Sequence, residues 1–194
     1  MQMVLQKHGP LTSFVLDKTN VDHLVKNYHL RIIQQIMRKL PEDRNSLESV
    51  VIQALLALGR AVVEPTNDMQ FLGYTISLER MLIMHGEDTT TERFTDRLAL
   101  ILSKDPNTRK RIKEKSKELY NKRSKIVHAA FSGVEEKDVA LIENWALSLI
   151  QYALGEGRKH KSHKEFCNEI DMLKYGNDIG KKSSKRTIKA GKNR

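Results

Sequence analysis

The sequence predicts an all-α protein, and three observations carry that expectation. Apolar residues recur at three- and four-residue steps over most of the chain, the period of an amphipathic helix. Pro41, Pro65, Gly86 and Pro106 fall between these periodic segments, where helices stop and start. Strand-like patterning is confined to the first twenty residues, where Met3 to Leu5 and Ser13 to Leu16 can form short strands around Gly9-Pro10.

The first helix is expected over Val21 to Leu40, with Asn20 as N-cap and Pro41 as stop. Leu24, Tyr28, Ile32, Ile36 and Leu40 recur there at four-residue steps, with Ile33 and Met37 beside them. A second begins at Asn45 or Ser46, gathers Leu47, Val50, Val51, Ala54, Leu55 and Leu58 on one side, and reaches about Glu64 before Pro65. A third runs from Asn67 to His85, with Gly86 as its C-terminal signal. Phe71, Leu72, Tyr74, Ile76, Leu78, Met81, Leu82, Ile83 and Met84 make it apolar almost all round, which predicts a central position. A fourth, Thr91 to Ser103, carries an inner stripe of Phe94, Leu98 and Ile101. The fifth follows Pro106, is capped near Asn107 or Thr108, and extends to about Phe131, with Ile112, Leu119 and Ile126 at seven-residue steps. A sixth spans Glu136 to Leu154, where Trp145 and Tyr152 are expected in the core or at a dimer interface. A weaker seventh covers Ser162 to Tyr175. From Gly176 onward the chain holds little to bury and disorder is expected. The expected division is an N-terminal helical extension over 1–65, a helical core over 66–155 and a basic C-terminal helix and tail over 156–194.

Composition removes several function classes. The single Cys167 excludes an internal disulfide framework and fits a reducing compartment. It has no companion cysteine or histidine at structural-zinc spacing. No glycine-rich phosphate loop, GxSxG elbow or paired-histidine metal motif is present, so neither a cofactor nor a metal is expected. His160 and His163, three apart among lysines, read as a solvated basic stretch. The sequence shows no apolar run of membrane-spanning length, and Met1 to Leu16 lacks a signal-peptide pattern, so no membrane partner and a cytoplasmic location are expected.

The net charge of +10 is concentrated: residues 1–154 contribute +3 and residues 155–194 contribute +7. Within the first part, Arg109 to Lys125 holds nine basic residues and two acidic ones. Positive charge gathered in one helix and one tail attracts polyanions and speeds their capture.

Three charged residues occupy apolar positions of the helical pattern. Glu79 lies in the apolar third helix beside Arg80, and at least one of the two is expected to be buried. Arg97 falls on the stripe of Phe94 and Ile101, and Arg123 on that of Leu119 and Ile126. A buried charge requires a partner, and Glu79 is the acidic candidate for Arg97 or Arg123. Arg123 and His128, five apart on a basic helix, are the residues with chemistry to offer. Arginine presents a planar fork of donors to a phosphate, and histidine transfers protons near neutral pH. On a continuous helix the two point about 140° apart. They can flank one groove, meet across a symmetric dimer, or converge if the helix ends before His128.

From about Phe71 to Leu154 the chain resembles the Apea-like branch of the HEPN superfamily. The resemblance rests on Leu78-Glu79-Arg80-Met81-Leu82, Phe94-Thr95-Asp96-Arg97-Leu98-Ala99, the run from Leu119 to His128, and a closing helix from Asp138 to Leu154. Arg123 and His128, with four residues between, match the shared signature of an arginine, four to six residues and a histidine. Ser124 stands where the best-known nucleases often carry Asn, Asp or His, and Ala129 where a glycine commonly follows. The resemblance implies an antiparallel helical bundle acting as a dimer, and metal-independent RNA cleavage to a 2′,3′-cyclic phosphate and a 5′-hydroxyl. His128 would transfer protons and Arg123 would stabilise charge on the phosphoryl oxygens. Ser124, Asn121 and Tyr120 would support them, with Glu79 and Arg97 behind. Lys122, Lys125, Arg109, Lys110, Arg111, Lys113 and Lys117 would hold the RNA backbone. It also implies toxin–antitoxin or antiviral settings, with an antitoxin or defence-complex partner. The alternative is a HEPN module without catalysis that binds a partner protein or nucleic acid.

Overall fold

Seven α-helices and three short 3-10 turns make up the regular structure of residues 29–88, 90–129 and 133–175, the part of the chain described by this computed structural model. The helices are α1 (Leu30–Arg38), α2 (Ser46–Val63), α3 (Asn67–Leu82), α4 (Thr90–Leu102), α5 (Pro106–Ala129), α6 (Glu136–Gly155) and α7 (His163–Met172). The described residues contain no strand, and the all-α bundle expected from the sequence is what they form. The candidate strands, the Asn20 cap, the Val21 to Tyr28 part of the first predicted helix, Phe131 and the tail from Gly176 lie outside the described residues.

Helix ends follow side-chain chemistry. α2 opens on a full capping box: Asn45 Oδ1 accepts from the Glu48 amide at 2.9 Å, and the Glu48 carboxylate accepts from the Asn45 amide at 3.0 Å. Thr66 caps α3 and Ser162 caps α7 through their hydroxyls. α5 is capped by Asp105, one residue before its proline, where Asn107 or Thr108 was expected; the Asp105 carboxylate accepts from the Thr108 amide at 2.7 Å. Proline at the first helical position leaves the cap to the residue in front of it.

Two helices have ends that differ from those the sequence predicts. α1 begins at Leu30, because His29 adopts a left-handed backbone conformation (φ 55°) and cannot continue a helix. It ends at Arg38, where Arg44 donates to the carbonyls of Ile36 and Lys39 at 3.1 and 3.0 Å. α3 ends at Leu82 rather than His85. The Leu82 carbonyl accepts from the Arg97 guanidinium at 2.6 Å, and the Met84 amide donates to Glu87 at 2.8 Å. Those bonds replace the helical ones that another turn would have made.

α3 is central, as its all-round apolar pattern predicts. It packs against α2, α4, α5 and α6, with Phe71, Tyr74, Leu78, Met81 and Leu82 inaccessible. One hydrophobic cluster joins Leu47, Val51 and Ala54 of α2 to Phe94 and Leu98 of α4, Leu119 of α5, Trp145 and Leu149 of α6, and Phe166, Cys167 and Ile170 of α7. The weakly signalled α7 therefore closes the core. α2 corrects the expectation about apolar runs: its 18 residues reach a mean hydropathy of 1.6, enough in length and composition to cross a membrane. In this fold it is a bundle helix whose inner side meets α3, with only 22% of its residues buried.

Candidate nucleic-acid interface

α5 carries the candidate residues and presents them on three different sides. Leu119 is 1% exposed and marks the direction of the core. At ~100° per residue, Arg123 lies about 40° round the helix from it, and His128 about 180°. Leu119 and Ile126 bring Arg123 against α3, where it meets Glu79: Nε lies 3.3 Å from Oε1 and Nη2 donates to Oε2 at 3.3 Å. The Nε–H is not aimed at the carboxylate, so it stays without a well-formed hydrogen bond although the charges are paired. Glu79 thus pairs with Arg123, one of the two partners foreseen for it. Neither Glu79 nor Arg80 is fully buried; Arg80 is exposed and Glu79 intermediate. Tyr120 sits beside this pair, its ring 4.8 Å from that of Phe94. Burial, then the Glu79 carboxylate, raises its hydroxyl above the ordinary range. Glu79, Tyr120, Arg80, His85, Glu87 and His163 line an open cleft of about 620 Å³.

Arg97 is an interior residue. It is 1% exposed, and its guanidinium is shared by two carboxylates that the sequence reading did not pair with it. Nη1 and Nη2 donate to Glu87 at 2.7 Å each, while Nε and Nη2 donate to Asp171 at 3.1 and 2.9 Å. Burial works against charge on Glu87, but the bonds from Arg97 and the Met84 amide outweigh it and hold the carboxyl below its ordinary range. This network ties the α3–α4 connection, α4 and α7 together. Asp171 had a legible signal: it stands four residues after the buried Cys167, on the same face of α7. Glu87, in a connection, had none.

The lysines expected to grip RNA divide into two groups. Lys122 pairs with Asp138, which is itself 1% exposed and also held by Lys115 at 3.0 Å. Lys113 pairs with Asp96, as does Lys174 at 2.8 Å. Arg109 donates Nε to the Ser103 carbonyl at 2.7 Å and closes the end of α4. These side chains are committed to structure. Lys110, Lys117 and Lys125 are exposed and have no carboxylate partner among the described residues, while Arg111, also exposed, donates to the Thr108 hydroxyl and helps to keep Asp105 charged. Lys110, Lys117, Asn121, Ser124 and His128 fall within about 60° of one another on the outward side of α5, a stripe ~27 Å long. Lys125 borders it.

His128 is exposed in the last turn of α5, and its side chain has no partner among the described residues. Because the helix continues through Ala129, convergence by an early end to the helix is ruled out. Within one chain, Arg123 and His128 do not share a site.

The histidines after α6 are not a solvated stretch. His160 lies 2.9 Å from Glu169, and His163 Nε2 lies 2.9 Å from the Met81 carbonyl and 3.3 Å from Cys167 Sγ. Burial lowers the His163 pKa and pushes the Cys167 thiol up to about 12, so the neutral imidazole donates to Met81 beside an unreactive thiol. Among the described residues, no three His, Cys, Asp or Glu side chains are grouped to hold a metal. No protein-family model, curated protein or solved structure matches the chain.

Proposed function

We propose that the protein is a metal-independent endoribonuclease of the HEPN type whose reactive site is completed between two copies of the chain. The observation that carries this reading is the placement of His128: exposed, unpartnered among the described residues, and at the end of an outward stripe of unpaired lysines. That stripe can track an RNA backbone through Lys110, Lys117 and Lys125, with Asn121 and Ser124 offering hydrogen bonds to phosphate. The 2′-hydroxyl attacks the adjacent phosphorus; its proton goes to a histidine, and the departing 5′-oxygen leaves as a hydroxyl after accepting a proton. His128 serves these transfers as general base or acid. Arg123 stabilises the charge that accumulates on the phosphoryl oxygens, exchanging its contact with Glu79 for the phosphate. Since the two residues diverge on one helix, a two-fold pair supplies Arg123 from one copy and His128 from the other. The reaction needs the 2′-hydroxyl, so RNA is cut and DNA is not.

A second reading follows from the Arg123–Glu79 ion pair. If Arg123 never leaves Glu79, α5 is a backbone-binding surface without catalysis, and the chain is a HEPN module that binds nucleic acid or a partner protein. The assay that separates the two is incubation of purified wild type with end-labelled RNA and chelator, beside R123A and H128A. The proposal expects a 2′,3′-cyclic phosphate product from wild type and a loss of at least about 100-fold in either variant. Unchanged binding with no cleavage by any of the three would select the second reading.

A further inference from the structure

The outer face of the α2–α3 pair exposes several apolar side chains that no described residue covers. Leu56 is 56% exposed, Val63 74%, Met69 47% and Ile76 38%. Between the two helices runs an open groove of about 530 Å³, floored where Gly73 meets Ala61 and walled by Leu56, Met69, Leu72 and Ile76. Scattered apolar side chains are ordinary on a protein surface, but Leu56, Met69, Leu72 and Ile76 gathered along one groove, beside a helix as hydrophobic as α2, mark an interaction surface.

The charges at the ends of the groove indicate what fits it. Glu64 lies at one end, with no ion-pair partner among the described residues. Arg80 lies at the other, where its Nη1 donates to Gln53 Oε1 at 2.8 Å and so holds the guanidinium over α2. Gln53 and Glu64 are separated by ~16 Å along the helix. We infer that this face binds a second copy of the chain. A two-fold axis lying in the interface and crossing the groove at its midpoint reverses the groove's direction. It sets each α2 antiparallel to its mate and brings Glu64 of each copy onto the Arg80–Gln53 pair of the other. Arg60, close to the axis, faces its own mate and opposes the pairing, while Glu64 one turn away on the same helix reduces that repulsion. A footprint ~16 Å long and two helices wide falls below the ~800 Å² per partner of a standard interface, so the association is weak, with a Kd in the micromolar range. The groove shares no residue with the outward stripe of α5, so this two-fold contact is separate from the one that pairs Arg123 with His128, and the inference does not rest on RNA cleavage.

Charge reversal tests it, with mass rather than activity as the readout. Sedimentation velocity of the full chain over about 1–200 µM should show self-association through this face that rises with concentration. E64R sets two arginines against each other at both ends of the groove, and R80E sets two glutamates; each should weaken the dimer at least tenfold. The double variant E64R/R80E exchanges the charges and should return the Kd to within about threefold of wild type. Far-UV circular dichroism confirms that each variant is folded. Wild type whose mass does not rise with concentration overturns the inference, as does a double variant no better than the singles. Flotation of monomer with phosphatidylcholine–phosphatidylserine vesicles, lost in L56D, would assign the face to a lipid surface and also overturn it.

Discussion

Removing the guanidinium of Arg97 would leave Glu87 and Asp171 facing each other and the Leu82 carbonyl without its donor. Breaking a buried ion pair by deleting one partner typically costs about 3–5 kcal/mol. R97M should therefore lose stability of that order in urea denaturation, and R97K should recover only part of it, since one ammonium cannot serve three acceptors in the same plane. A loss below about 1 kcal/mol would mean that the network contributes nothing net. The position of Arg97 was legible, because it stands three residues after Phe94 and four before Ile101. Its partners were harder to read. Glu79 was the acidic residue with the right periodicity, yet Glu79 went to Arg123. Glu87 belongs to a connection, which has no periodicity to betray its direction. The lysines of α5 teach the same lesson: a count of nine basic residues from Arg109 to Lys125 reads as a polyanion surface. Lys113, Lys115 and Lys122 are instead matched to Asp96 and Asp138, carboxylates on other helices.

At the scale of elements, the contact between α2 and α3 depends on a glycine inside a helix. A Cβ placed on Gly73 would lie 2.6 Å from the Ala61 Cβ. Glycine to alanine in a helix interior gains about 1 kcal/mol of propensity, whereas overpacking a tight contact costs about 1–3 kcal/mol. The contact is with the first side-chain atom of Ala61, which has no rotamer to escape into, so the steric cost prevails. G73A should lower the melting temperature, and G73A/A61G should recover part of the loss, the Ala61 Cα remaining 3.1 Å away; simple additivity of the two changes would contradict the proposed contact. Among the described residues, helix order and most boundaries were legible from apolar period and from Pro, Gly and Asn punctuation. The exceptions have tertiary causes. α3 stops early because Arg97 takes its terminal carbonyl, and α7, weak by sequence, is fixed by what Phe166, Cys167 and Ile170 bury.

The whole molecule poses the question that one chain leaves open. A helix running unbroken from Pro106 to Ala129 turns Arg123 toward α3 and His128 away from the core. The spacing that suggested a catalytic pair is also what separates its members in the monomer, so chemistry between them requires a second copy. A subunit-mixing assay tests this claim most directly. R123A and H128A are purified separately, each inactive on RNA, then mixed in equal amounts and allowed to exchange subunits. If arginine from one copy serves histidine from the other, half of the dimers are mixed and each mixed dimer holds one intact site. The mixture should then recover about a quarter of wild-type cleavage, with the same cyclic-phosphate ends. A mixture that stays inactive, with exchange verified and wild type cutting under the same conditions, would contradict the account.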